Sequence, residues 1–193
     1  MKTTLILASQ SPRRSELLRS IGLDFKVEPA VHFKEIDSRS CSAHEAVKLN
    51  AEGKATEIAK NHPNDLVLGV DTVGAFQDLV LEKPKDKDDA FAMLKMLQGE
   101  THEVLTGLCL IKGKKKISHI ESTRISFLPL TDEEIRAYIE TGEPMDKAAS
   151  YAAQGIGALF IQKIEGDYFT VVGLPLYRLN IMLKEFDINL LTD

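Results

Sequence analysis

Apolar and polar residues fall into blocks along this chain, and the period changes from block to block. Leu5 to Ala8 is a short apolar run, the pattern of a buried strand. A polar turn follows, with Ser11 at an N-cap and Pro12 at the first helical position, where a missing N–H costs nothing. Gly22 can close that helix. Phe25 to Glu28 reads as a second short strand. Ser42-Ala-His-Glu45 is a capping-box pattern that opens a long helix to about Asn61, with apolar positions at Val47, Leu49, Ala51, Ala55, Ile58 and Ala59. Asp65 to Gly74 reads as a central strand with polar residues set into it, and Val80 to Pro84 as a short strand ended by proline. Asp86 caps a helix through Leu97 that Gly99 stops. Glu103 to Ile111 and Lys116 to Phe127 predict a hairpin joined at Lys112-Gly-Lys-Lys115. A second capping box, Thr131-Asp-Glu-Glu134, opens a helix ending at Gly142. Ala158 to Ile164 and Tyr168 to Val172 predict another hairpin, turning at Glu165-Gly-Asp167. Pro175 starts a last helix through about Phe186.

Strands and helices alternating in this way predict an α/β fold. The 193 residues suit one domain or two small lobes, with no repeat, low-complexity stretch or separating linker. Composition is globular, at 44% hydrophobic and 27% charged residues. A net charge of -5 argues against nucleic acid as a partner, because backbone binding needs a basic excess. Cys41 and Cys109 form no CxxC pair and no zinc spacing, so they read as idle thiols in a reducing compartment. The first apolar run is too short for a signal peptide, and no segment reaches a membrane span of roughly 20 apolar residues. The expectation is a cytoplasmic protein with no membrane partner.

Several polar residues carry candidate chemistry. Arg13 and Arg14 stand in the first turn of a helix, where the dipole disfavours cations. That placement makes sense if an anion rich in oxygens, such as a phosphate chain, docks there. Asp71 and Thr72 interrupt an apolar strand, and a carboxylate there needs a partner or a metal. Glu35 and Asp37, in a polar loop, can add a carboxylate to a magnesium site. Lys54 and Lys83 add cations that suit a polyphosphate. Asp146 and Lys147 are adjacent charges able to reach a site, and the amide of Gln154, before Gly155, suits reading a base edge. His102, at a strand start, reads as structural. There is no GxxxxGK[ST], HExxH or GxSxG.

Ser9-Gln-Ser-Pro-Arg-Arg14, Gly69-Val-Asp-Thr72, Glu82-Lys-Pro84, Gly99-Glu-Thr-His102, Glu143-Pro-Met-Asp-Lys147, Gln154-Gly155 and Val172-Gly-Leu-Pro175 occur in one order. This ordered set resembles the Maf family of nucleoside triphosphate pyrophosphatases and covers nearly the whole chain. The resemblance implies one domain over residues 1–193. Its fold would be an elongated mixed twisted sheet flanked by helices, with two lobes around a cleft, similar to the inosine triphosphate pyrophosphatases. It implies hydrolysis of dTTP and UTP to the monophosphate and pyrophosphate, a house-cleaning role, a divalent cation (Mg²⁺ or Mn²⁺) and a homodimer. By position, Ser9, Arg13, Arg14, Lys54 and Lys83 match phosphate-binding residues. Glu35 and Asp71 match the acidic pair at the metal, and Asp71 the general base. Arg13, Thr72 and Gln154 match the signature of the dTTP/UTP branch. The chain departs from the family at Ala149 and Ala152, where glycine is usual, and in Leu49-Asn-Ala-Glu-Gly-Lys-Ala55, where the family commonly reads Leu-Ala-x-x-Lys-Ala. Two other readings stay open: a pyrophosphatase for another modified or non-standard nucleotide, and a non-enzymatic nucleotide-binding regulator of cell division.

Overall fold

The computed structural model describes residues 5–36 and 41–192. The strands are β1 (Leu5–Leu7), β2 (Phe25–Val27), β3 (Leu66–Phe76), β4 (Leu79–Leu81), β5 (Thr101–Lys112), β6 (Lys115–Phe127) and β7 (Ile161–Glu165). The helices are α1 (Pro12–Ser20), α2 (Ala43–Ala59), α3 (Lys87–Leu97), α4 (Asp132–Glu140), α5 (Tyr168–Val172) and α6 (Leu176–Lys184). One mixed seven-stranded sheet runs in the order β2-β1-β3-β5-β6-β7, with β4 also on β3. β1 is parallel to β2 and β3, and the remaining pairs are antiparallel.

Side-chain alternation along the strands divides the core by face. Leu5 and Leu7 of β1 and Leu66, Leu68 and Val70 of β3 pack with α1 and α6 residues such as Leu18, Leu179 and Leu183. Ile6, Ala8 and Val67 point the other way, onto Ala51, Ala55 and Ile58 of α2. The far end of the sheet has its own core, where Val104, Ile125 and Phe127 meet Leu94 of α3, Ile135 and Tyr138 of α4, and Tyr151 and Phe160. The two ends form two lobes on one continuous sheet.

The sheet is unevenly paired along β3. On one side β5 accompanies it from Val67 to Ala75. On the other side β1 pairs only with Leu66–Leu68, and β4 only with Gly74–Phe76. Between these contacts, residues 69–73 have no neighbouring strand on that edge. The strand that reads as buried in the sequence therefore contains an open stretch, and Asp71 and Thr72 lie in it.

Helix α2 lies unusually close to the sheet. A Cβ on Gly69 would stand 2.1 Å from the Ala51 carbonyl oxygen, and one on Gly107 would stand 2.4 Å from that of Val47. Gly107 is the register partner of Asp71 on β5, so both glycines lie beside the open stretch.

Most predicted elements form close to their expected ends. The Ser42 side chain accepts from Glu45 N, and at Thr131 both halves of the capping box are present. The predicted hairpin over 158–172 does not form. Residues 156–160 make 3₁₀ turns, and β7 pairs with β6. Tyr168–Val172 is a helix rather than a strand, despite its β-branched and aromatic residues. Asp167 caps it by accepting from Phe169 N, Gly173 ends it at φ 113°, and the carbonyl of Thr170 accepts from Thr106 on β5. Caps and tertiary contacts thus override the local strand preference.

His102 is structural among the described contacts: it is buried, its Nε2 lies 2.9 Å from the Tyr151 hydroxyl, and its ring meets Phe127 edge-on. Burial lowers its pKa to about 4.

Two outcomes follow. Gly69→Ala should lower the stability read from a urea midpoint by about 1–3 kcal/mol, because the added methyl meets helix backbone that cannot rotate away. Because the unfolded His102 titrates near 6.5, the unfolded chain takes up its proton first as pH falls. The His102 contribution is therefore complete above about pH 6.5 and lost toward about pH 4. His102→Asn should flatten that part of a stability-against-pH curve; an unchanged slope would show that His102 protonates equally in both states.

Candidate active site in the split sheet edge

A cleft of about 570 Å³ opens at the unpaired stretch of β3, between the two lobes. Its wall draws on the turn after β1, α1, the loop carrying Glu35, α2, β3, the end of β4 and residues 146–154. Ser9, Arg13, Arg14, Lys54 and Lys83 all line it, as do Glu35, Asp71, Thr72 and Gln154. The fold thus gathers these nine residues expected from the sequence into one cavity. Asp37 lies outside the described residues.

Asp71 is buried on the α2 face of β3. Its Oδ1 is 2.6 Å from Lys54 Nζ, and its Oδ2 accepts from Asn50 Nδ2 at 3.1 Å. Asn50 and Lys54 are one helical turn apart, so one face of α2 grips both oxygens. The same Lys54 Nζ lies 2.6 Å from Glu35 Oε1. Asn50 Oδ1 also accepts from Ile36 N at 2.9 Å, which ties the Glu35 loop to the same helix. The ring of Phe33 packs where Gly53 has no side chain; a Cβ there would stand 2.0 Å from it. Burial pushes the Glu35 carboxyl upward, but the hydrogen bond and charge of Lys54, with Lys83 and Arg14 beyond it, hold its pKa below the usual value.

The two arginines have different surroundings. Arg14 donates from Nε to the Gly173 carbonyl at 2.9 Å, from Nη1 to Ser9 Oγ at 2.8 Å and to the Val70 carbonyl at 3.1 Å, and from Nη2 to Thr72 Oγ1 at 3.1 Å. Four of its five N–H groups are therefore engaged within the protein. One of them takes the carbonyl that a neighbouring strand would otherwise take. Burial lowers its pKa to about 10, with Asp71 opposing and Arg13 adding to the shift, so it remains a cation at neutral pH. Arg13 instead points across the cleft, with Nη1 3.5 Å from Asp146. Asp146 also holds the adjacent Lys147 Nζ.

Thr72 occupies the opposite face of β3 from Asp71. Thr106 donates its hydroxyl proton to the Thr170 carbonyl at 2.9 Å, so the 2.9 Å contact between the two hydroxyls has Thr72 as donor. Lys83 and Gln154 are exposed and make no hydrogen bond or ion pair among the described residues. Ala149 sits at φ 56° and is buried. Its N–H donates to the Glu82 carbonyl, which ties the 146–154 segment to the end of β4. Ala152 is also buried.

Among the described residues, no three His, Cys, Asp or Glu side chains converge on one point. Glu35 and Asp71 are the two carboxylates that share a position, with Lys54 Nζ between them.

Residues 4–186 match the family described as Maf-like protein. The chain belongs to that family. A dTTP/UTP pyrophosphatase of Bacillus pumilus is 50% identical over 184 residues, covering 95% of this chain and 97% of the relative. The dTTP/UTP pyrophosphatase of Koribacter versatilis is 48% identical over 180 residues, covering 93% of each. The structure of the Staphylococcus aureus Ham1 protein superposes with a TM-score of 0.54 at 10% identity, covering 95% of this chain and 99% of that one, and so shares the fold.

Sequence reasoning missed Asn50, which the tertiary structure places on Asp71. The available signal was a polar residue on the apolar side of a helix, four positions before Lys54. Sequence reasoning gave Arg13 and Arg14 the same phosphate-binding role and only Arg13 a part in base selection. Their surroundings predict different consequences. Arg14→Met should destabilise the fold by about 2–4 kcal/mol, because it strands buried carbonyl and hydroxyl partners. Arg13→Ala should change the stability by less than about 1 kcal/mol, as a half-exposed ion pair does. Paired urea titrations check this, and equal losses would contradict the assignment.

Proposed function

We propose that this protein hydrolyses nucleoside triphosphates between the α- and β-phosphates, releasing pyrophosphate, with dTTP and UTP as substrates. The observation that carries this reading is the buried Asp71 carboxylate at the open edge of β3, flanked in one cleft by Lys54, Arg13 and Lys83. The relatives named dTTP/UTP pyrophosphatase supply the substrate class.

The residues divide by task. Arg13, Lys54 and Lys83 bind the triphosphate and stabilise the charge that builds on the leaving pyrophosphate. Arg14 and Ser9 shape the anion-facing turn, since Arg14 donates to Ser9 there and uses three more N–H groups to anchor itself to Val70, Thr72 and Gly173. Asp71 aligns a water against the α-phosphorus and accepts its proton. The water oxygen bonds to that phosphorus, the bridging P–O bond breaks, and the electron pair leaves with pyrophosphate. Asp71 oxygens accept from Lys54 and Asn50, which leaves lone pairs for the water. Gln154 donates its amide N–H to a base carbonyl and accepts the ring N–H of uracil or thymine, with Thr72 and Arg13 completing the selection.

A divalent cation, Mg²⁺ or Mn²⁺, would be held by Glu35 and Asp71 once Lys54 Nζ, which bridges the two carboxylates here, turns to phosphate oxygens; such an ion takes one or two carboxylates and completes its shell with water and phosphate oxygens. When bound, it would add positive charge where the phosphates develop negative charge. In this reading the enzyme works in the cytoplasm, in keeping with its free Cys41 and Cys109. No helix among the described residues is long and apolar enough to cross a membrane. In this reading a second copy of the chain is its protein partner.

With dTTP and Mg²⁺, the expected products are dTMP and pyrophosphate in equal amounts; accumulation of dTDP with orthophosphate would sink the reading. Asp71→Asn should leave a folded protein whose kcat falls by about 10²–10⁴-fold, the usual effect of losing a general base. A metal titration of this variant separates the two Asp71 roles. An unchanged metal requirement supports the base, and a raised requirement assigns Asp71 to the metal. Activity close to wild type would remove Asp71 from the mechanism.

A further inference from the structure

Gln154 has no hydrogen-bond partner of its own among the described residues, so the place from which its amide reaches the cleft is set by the backbone that carries it. That backbone is held on both sides by two residues outside the cleft lining. Glu143 Oε1 accepts from the Tyr138 hydroxyl at 2.8 Å and from Gly157 N at 2.9 Å. Glu143 Oε2 accepts from Ile156 N at 2.9 Å. The Tyr138 hydroxyl in turn accepts from Ala152 N at 3.1 Å. Residue 152 before Gln154 and residues 156 and 157 after it are therefore joined through one carboxylate and one phenol.

The local sequence requires such an outside acceptor. Residues 156–160 form 3₁₀ turns whose N-cap is Gly155, which has no side chain to satisfy their first N–H groups. Glu143 takes over that duty. A Cβ on Gly155 would stand 2.4 Å from Glu143 Oε2, so the glycine also makes room for the carboxylate. Burial pushes the Glu143 carboxyl upward, but the two backbone N–H groups and the Tyr138 hydroxyl hold its pKa below the ordinary value, and it stays an acceptor at neutral pH. Tyr138 is fixed in turn by the lobe core, edge-on to Phe160 at 4.7 Å.

We propose that Glu143 is a positioning residue for base selection: with Tyr138 it sets the backbone from which Gln154 presents its amide to the base. The proposal rests on Gln154 reading the base, as in the function given above. An amide can turn over to suit either pyrimidine, so it favours uracil only when held where Thr72 and Arg13 complete the selection, and a displaced amide loses that preference before it loses contact. A glutamine at 143 would turn an N–H₂ toward a backbone N–H and leave one anchor unmade.

The test compares UTP with CTP, which share sugar and triphosphate and differ only at the pyrimidine edge. Pyrophosphate release is measured for wild type, Glu143→Gln, Tyr138→Phe, Gln154→Ala and the Glu143→Gln/Gln154→Ala double variant. Glu143→Gln and Tyr138→Phe should each lower the UTP/CTP ratio of kcat/KM by about tenfold, mostly through KM for UTP, as expected for losing about one aligned hydrogen bond. The double variant should lose no more selectivity than Gln154→Ala alone, since both substitutions act on one element. Thermal melts identify any variant that merely fails to fold, and Tyr138→Phe, which keeps the ring, carries the test if Glu143→Gln does. If the folded variants keep the wild-type ratio while Gln154→Ala loses it, Glu143 has no positioning role and the base-reading assignment survives. A double variant that loses further selectivity overturns the proposal in the same way. If Gln154→Ala itself keeps the ratio, Gln154 does not read the base and both ideas fall.

Discussion

The cleft exists because β3 is longer than its neighbours on one edge. β1 leaves it after Leu68 and β4 joins it at Gly74, so one backbone edge of residues 69–73 has no strand partner within an otherwise paired sheet. An exposed carbonyl in a half-buried edge needs a donor. Arg14 supplies one to Val70, and the same guanidinium reaches Ser9, Thr72 and Gly173. One partly buried cation thus closes the end of the split and links the turn after β1, the centre of β3 and the residue that ends α5. It also keeps positive potential at the floor of the cleft. This accounts for two consecutive arginines in a helix start that lacks acidic residues: one completes the sheet edge and the other reaches across the opening.

The second constraint is the approach of α2 to the sheet. Gly69 and Gly107 remove the side chains that would hold the helix away. The closer helix brings Asn50 and Lys54 onto the two oxygens of Asp71. A carboxylate buried at this depth without partners would be costly. Here its partners come from one rigid helix face, so the group is oriented as well as compensated. Lys54 also holds Glu35, and Asn50 holds the backbone beside it, so the loop inherits its position from the same helix. Packing of small residues at one place thereby sets the electrostatics of the site a few ångströms away.

The two sides of the cleft are connected by few contacts. Arg13 meets Asp146, and Ala149 N donates to the carbonyl of Glu82. Glu143 and Tyr138 then secure the segment beyond Asp146 that carries Gln154. The cationic side is built on the sheet and α2, and the segment bearing Gln154 on the smaller lobe with its aromatic core. A substrate spanning both would have its triphosphate held by one lobe and its base read from the other.

Much of this was present in the chain as a sequence. Periodicity and capping patterns located the strands and helices because Leu5–Ala8, the 42–61 stretch and the paired strands 103–127 carry strong local signals. The ordered motifs named the family, and every site residue they marked within the described residues lines one cleft. Local signal failed at Tyr168–Val172, where β-branched and aromatic residues become helical under the Asp167 cap and the contact from Thr106. It also could not separate Arg13 from Arg14, or show that Asn50, Tyr138 and Glu143 support the site. Those assignments depend on which distant groups a side chain meets: Val70 and Gly173 for Arg14, Asp71 for Asn50, Ile156 and Gly157 for Glu143. Sequence determines what each residue can donate, accept or bury, whereas the partner it finds is decided only when the sheet and α2 bring remote parts of the chain within hydrogen-bond distance.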